Sequence, residues 1–299
     1  MKQLGALTLR NMRLYFKDKG LFFVSLITPA VLLVLFVTFL GNIYKKSFLS
    51  ALPPGLLSGE SLVDATVGGQ LISSLLAVSC VTVAFCSNIL MVQDRANGTI
   101  SDLTVTPVKR PVIAASYFTA CTLSTLIVNF AATGLCFLYL AKVGWYMSAG
   151  DTAALMLDVV LLSLFGVALS SFIHFFLKTQ GQASAVGTIV SAGYGFLCGA
   201  YMPISNFSDP LQKFMSFLPG TYGTSLLRNH AMAGVFREMK KIGFPAEIVE
   251  SIRNSVDCNI YFFSNEVRTG AMYAVLCISV SVLLAAYIAA NVLRAKRAA

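Results

Sequence analysis

Long uncharged apolar runs alternate with short polar breaks along this chain. Val67 to Val92 and Val112 to Ala141 carry no charge at all. Each exceeds the roughly 20 helical residues that cross a bilayer core of about 30 Å. Runs of similar character recur, so the pattern predicts spans at about 21–41, 67–92, 112–141, 153–177, 182–202 and 270–293. The expectation is an all-α polytopic membrane protein with six transmembrane helices filling one domain, residues 20–299. An even number of spans places both termini on the same side.

The polar break at 93–111 is the most informative, because it is wedged between the two longest runs and must protrude as a handle. Gly98 followed by Thr99-Ile100-Ser101-Asp102 reads as a turn feeding a short helix, with Thr99 capping it and Asp102 reaching back in an imperfect capping box. Pro107 then ends that helix.

Residues 1–19 form a separate element. On a helical projection Arg10, Arg13 and Lys17 fall within a sector of about 60°, while Leu4, Leu7, Leu9, Leu14 and Phe16 occupy the rest. Such an interfacial helix lies in the headgroup plane, with its basic stripe toward phosphates or an acidic partner and its apolar side in the acyl boundary. Lys19-Gly20 is expected to break it. In the fifth run, Gly193, Gly195 and Gly199 provide close helix approach, either within the chain or at a dimer seam. After it, residues 203–268 predict an outer re-entrant hairpin between prolines, then an external helical cap whose charges face water. The connector holding Pro53-Pro54-Gly55 shows no obvious chemistry.

Composition agrees with the pattern. Only 12% of residues are charged, against about 25% in soluble domains. The charges that exist are sorted by side. The N-terminus, the handle, the turn at Lys178 and the tail at Arg294, Lys296 and Arg297 are opposed only by Asp18, Asp94 and Asp102, which accounts for the whole net charge of +9. The positive-inside rule makes these segments cytoplasmic, in a plasma (inner) membrane. The surplus is therefore orientation information, and no nucleic-acid partner is expected. The first apolar run begins too late and runs too long for a cleaved signal, so it is expected to stay as a span. The cysteines read as small apolar packers.

Catalytic devices are missing from the sequence. There is no phosphate-loop, zinc-protease or nucleophile-elbow motif, so the chain is not expected to be an enzyme, or to bind a cofactor or metal. Asp158 is the only acidic residue well inside a span. His174 lies sixteen residues further along the same helix, about 24 Å away at 1.5 Å per residue, which excludes a direct pair.

Three places then carry a resemblance to the permease subunits of ABC-2 type exporters, over nearly the whole chain. Arg10-Asn-Met-Arg-Leu-Tyr-Phe-Lys-Asp-Lys19 leading to Pro29 is similar to that family's connecting helix and first span. Asp94-Arg-Ala-Asn-Gly-Thr-Ile-Ser-Asp-Leu103 with Thr106-Pro107 resembles its coupling segment, with Asp where Glu is commoner. Gly199-Ala-Tyr-Met-Pro203 through Pro219, and Tyr222 to Arg228, resemble its small-residue span and outer re-entrant helices. The stretch from about Ala231 to Glu266 departs from the family in being longer than the usual link to the last span.

The resemblance implies an exporter in which two permease chains pair with two separate ATPase subunits that carry ATP and Mg. Asp94, Arg95 and Asp102 would then make polar contacts to the ATPase, Gly98 and Thr99 would shape the lever, Leu103 would be its apolar knob, and Pro107 would end it. Drug- or antibiotic-like amphiphiles suit the Phe-rich spans as cargo, with lipid-linked polysaccharide the alternative. A secondary transporter is the reading from another class; it calls for intramembrane charges along a path.

Overall fold

The computed structural model describes residues 2–36, 38, 41, 42, 45, 46, 60–263 and 265–297. Pro53-Pro54-Gly55 and most of the connector around them lie outside the described residues. Helix α1 covers Lys2–Lys17 and α2 covers Lys19–Leu35. Asp18 alone separates them, and its Oδ1 accepts the Leu21 N–H at 3.0 Å, capping the new helix. The break expected at Lys19-Gly20 therefore falls one residue earlier, and Gly20 lies inside α2.

The chain continues through α3 (Glu60–Ala96), α4 (Thr99–Val105), α5 (Arg110–Val143), α6 (Ala149–Phe176) and α7 (Gln180–Leu197). A 3-10 turn (Ile204–Asn206) leads to α8 (Asp209–Ser216), α9 (Pro219–Lys241) and α10 (Ala246–Ser255). A small antiparallel hairpin, β1 (Tyr261–Phe262) with β2 (Asn265–Glu266), precedes α11 (Thr269–Arg297). Capping boxes at Ser148–Asp151 and Thr179–Gln182 start α6 and α7.

Among the described residues, four helices are long and apolar enough to cross a membrane: Ser61–Ala96, Arg110–Val143, Ala149–Phe176 and Thr269–Arg294. The described residues are thus almost entirely helical, with almost no sheet, consistent with an all-α membrane protein. Helices α2 and α7, expected as spans one and five, are shorter, at 17 and 18 residues. Helix α7 stops at Leu197 instead of running on to Met202, because Gly199 at φ +72° turns the chain. The amides of Ala200 and Tyr201 then bond back to the Gly195 carbonyl at 2.8 and 3.0 Å, a glycine-terminated helix end.

Helix α3 is the axis of the bundle. The most apolar stretch of α3 is 94% buried, against 11% for that of α11, so α3 faces protein all round while α11 is left largely uncovered. Its neighbours are α2, α5, α6, α7 and α9. Small residues permit this crowding. A Cβ on Gly166 of α6 would stand 2.7 Å from the Cys80 carbonyl oxygen, so the two backbones nearly touch there. Asn129 of α5 stitches three helices, accepting from Ser79 at 2.8 Å and donating to Ser163 at 2.9 Å. Asn88 donates to Ser170 and Ser171.

The region 203–268 departs most from expectation. Helix α9 is a long buried helix packed against α3, α6 and α11. Gly223 accommodates Leu162 midway along α6, and Gly234 sits under the Tyr146 carbonyl. Arg228, expected on a solvated cap, is 1% exposed and bonds Asp257 at 2.9 Å. The same guanidinium donates to the Gly199 carbonyl at 2.5 Å. Arg228 and Asp257 are 29 residues apart in sequence, so neither helical period nor local charge pattern links them.

Candidate functional site

The handle is built around Gly98, whose φ of +81° favours glycine at this turn. Its carbonyl accepts the Ser101 and Asp102 amides at 2.8 and 3.2 Å and starts α4. Thr99 does not cap this helix: Gly98 holds the cap position, and no side-chain cap bond forms. The expected capping box at Thr99 and Asp102 is therefore corrected to a glycine turn. Helix α4 ends at Val105, and Thr106 is extended as a residue before proline should be, so Pro107 terminates the helix as predicted.

The roots of the handle face inward. Asp94 is buried, accepting from Arg10 Nη1 at 2.5 Å and from the Tyr117 hydroxyl at 2.5 Å. Burial alone would push the Arg10 pKa down, but the hydrogen bond and charge of Asp94 outweigh it and hold Arg10 above its ordinary value. Arg95 Nη1 donates to the carbonyls of His174 and Phe175 at 3.2 and 3.0 Å, and to that of Leu177. Those carbonyls lie at the partly negative end of α6, where the His174 carbonyl also accepts the Leu177 amide at 3.2 Å, so Arg95 caps that helix. Leu103 and Ile100 tuck against Leu90, Met91, Ile113 and Tyr117, with Leu7 of α1 in the same cluster. Asp94, Arg95 and Leu103 all make contacts within the chain, Asp94 buried and the other two half-buried.

What faces outward is a different set. Asn97, Asp102, Val105 and Pro107 are exposed, Val105 at 88%, while Leu103 is half-buried. The only signal for Val105 in the sequence is its position before Thr106-Pro107, where α4 must end.

On α1, Arg13 and Lys17 remain exposed while Arg10 turns to Asp94. The buried side of α1 is polar, made of Thr8, Asn11 and Tyr15, with Tyr15 bonded to Ser25 at 3.1 Å. Leu9, Leu14 and Phe16 are exposed.

The three glycines of α7 and its end separate. A Cβ on Gly195 would overlap the Tyr201 ring at 2.3 Å, and one on Gly199 would meet Ile204 at 2.8 Å. Both pack within the chain. Gly193 has nothing within 4 Å.

Asp158 and His174 are apart, as the helix rise required. His174 Nδ1 pairs with the Ser170 carbonyl at 2.8 Å. Asp158 instead meets His230 Nδ1 at 2.5 Å and accepts from the Tyr273 hydroxyl at 2.6 Å, joining α6, α9 and α11. Sequence spacing carries no trace of that trio.

A family model described as ABC-2 type transporter matches residues 2–231, and the chain belongs to that family. It is therefore a multi-pass permease of the ABC transporter class, a type of subunit that generally works with an ABC ATPase. No curated protein matches the chain.

Proposed function

We propose that this permease serves an ATP-driven exporter, in which a separate ATPase subunit engages residues 93–111 and drives amphiphiles of drug or antibiotic type outward. The observation that carries this reading is the handle's division of labour. One face of α4 is exposed and polar apart from Val105, while its roots reach α1 through Arg10, α5 through Tyr117 and the end of α6 through Arg95. A push on the outer face is transmitted to three helices at once. A lever biased by nucleotide is what a two-state transport cycle requires.

In this reading α2 and α7 complete six spans, and the basic end of the bundle is cytoplasmic with both termini. The contacts of Gly223 with Leu162 and of Arg237 with Asp151 support α8 and α9 as a re-entrant pair entering from the outer side, with the start of α9 at mid-membrane depth. ATP and Mg reside on the ATPase. Two permease chains, identical or closely related, pair with two ATPase copies, using the open face of α7 around Gly193.

Stimulated ATP hydrolysis by the reconstituted complex tests the cargo. Amphiphiles are expected to raise the rate and lipid-linked glycans to leave it unchanged. Stimulation by glycans alone would replace the cargo assignment with polysaccharide.

A further inference from the structure

Beneath α4 lies a cavity of about 340 Å³ walled by three arginines, Arg95, Arg110 and Arg294, together with Tyr117, Tyr287 and Asn291. Among the described residues, no carboxylate pairs with any of the three. Asp94, next to Arg95, is taken up by Arg10 and Tyr117. Arg294 rests 5.5 Å from the centre of the Phe175 ring. Arg95 is engaged by the carbonyls at the end of α6, whereas Arg110 and Arg294 face the half-enclosed space without an anionic partner among the described residues and concentrate anions there.

The cavity has a neighbour. Arg110, Ala114, Tyr287 and Asn291 also wall a second cavity of about 200 Å³, completed by apolar residues that include Ala115, Phe118, Leu284 and Ile288. This groove lies between α5 and α11. It runs from Arg110 to Thr119 along α5, about 13 Å of helix at 1.5 Å per residue. Ile288 and Val292 are exposed beside it, on the uncovered apolar surface of α11. A cationic pocket at the end of the spans thus continues into an apolar groove along them.

A soluble anion, or an acidic side chain from a partner, would use only the first cavity. A molecule with an anionic head and a hydrocarbon chain uses both. We propose that this pair of cavities binds an anionic phospholipid, its phosphate held by Arg110 and Arg294 and an acyl chain lying along the α5–α11 groove. Ile100, Ser101 and Thr104 of α4 line the same pocket, so the lipid would brace the underside of the handle. The inference goes beyond the exporter reading and rests neither on the cargo nor on the ATPase.

The test is native mass spectrometry of the full permease after exchange into mixed micelles of phosphatidylglycerol or phosphatidylcholine. The parent is expected to retain phosphatidylglycerol selectively. Each arginine near a lipid surface changes affinity about fivefold, so Arg110→Gln with Arg294→Gln should weaken retention roughly thirtyfold. Arg110→Lys with Arg294→Lys should keep most of it, which separates lost charge from lost fold. Ala115→Trp, which fills the groove and spares every arginine, should also weaken it. Unchanged retention in the double Gln variant would overturn the proposal. So would unchanged retention in Ala115→Trp combined with displacement by excess inorganic phosphate, which would mark a soluble-anion site.

Discussion

The Asp94 clasp gives the sharpest energetic prediction. Asp94→Asn keeps the shape and an acceptor for Tyr117, but it removes the charge that holds Arg10. A hydrogen bond to an ionised group contributes about 1.5–3 kcal/mol when shielded. The Arg10 side chain is 32% exposed against 9% for Asp94, so solvent screens its share toward about 1 kcal/mol. The bond from Tyr117, whose side is buried, loses its charge assistance and contributes about 1 kcal/mol more. The sum is about 2 kcal/mol, or roughly thirtyfold in the equilibrium between clasped and released handle. Hydrogen exchange should therefore quicken by that factor at amides of α1 and α4 while α9 stays protected. Adding Arg10→Gln to Asp94→Asn should change little further, because the pair is already broken. Exchange in α1 that does not respond to Asp94→Asn, or two effects that simply add, would refute the clasp.

Other contacts are open to equally direct tests. Arg228→Met leaves Asp257 buried without its partner and should destabilise by about 3–5 kcal/mol, while Arg228→Met with Asp257→Leu should regain much of that loss; thermal melts in detergent compare the two. Gly98→Ala should destabilise the handle by about 1–2 kcal/mol through its positive φ alone, whereas Thr99→Ala, which removes no cap bond, should leave α4 exchange unchanged. Gly195→Leu should lower the melting temperature by colliding with Tyr201. Gly193→Leu should instead leave the melt alone and reduce particle mass, and an unchanged mass would remove α7 from the dimer seam.

The membrane class and most helix boundaries were legible because hydrophobic period and length dominate in a bilayer. The handle was legible because polar residues between two spans have nowhere to go but outward. Which handle residues point inward was not, since that depends on Arg10 and Tyr117, whose distances from Asp94 in the chain follow no helical period. Val105 and Leu103 are both apolar residues of one short helix, and only packing against Leu90 and Ile113 tells them apart. Arg228 and Asp257 misled for a related reason. A charge reads as solvated until its partner is known, and the partner here comes from the turn after α10.

The central claim is that the outward face of α4 is where the ATPase takes hold. Asp102→Arg with Val105→Glu changes two exposed residues outside the roots at Asp94 and Arg95, so the helices should insert and exchange as in the parent. Retention of the cognate ATPase on the purified permease should fall at least about tenfold, the effect of losing about 1.4 kcal/mol of contact. ATPase retention equal to the parent's, with transport intact, would contradict the account and direct attention to the turn at Lys178.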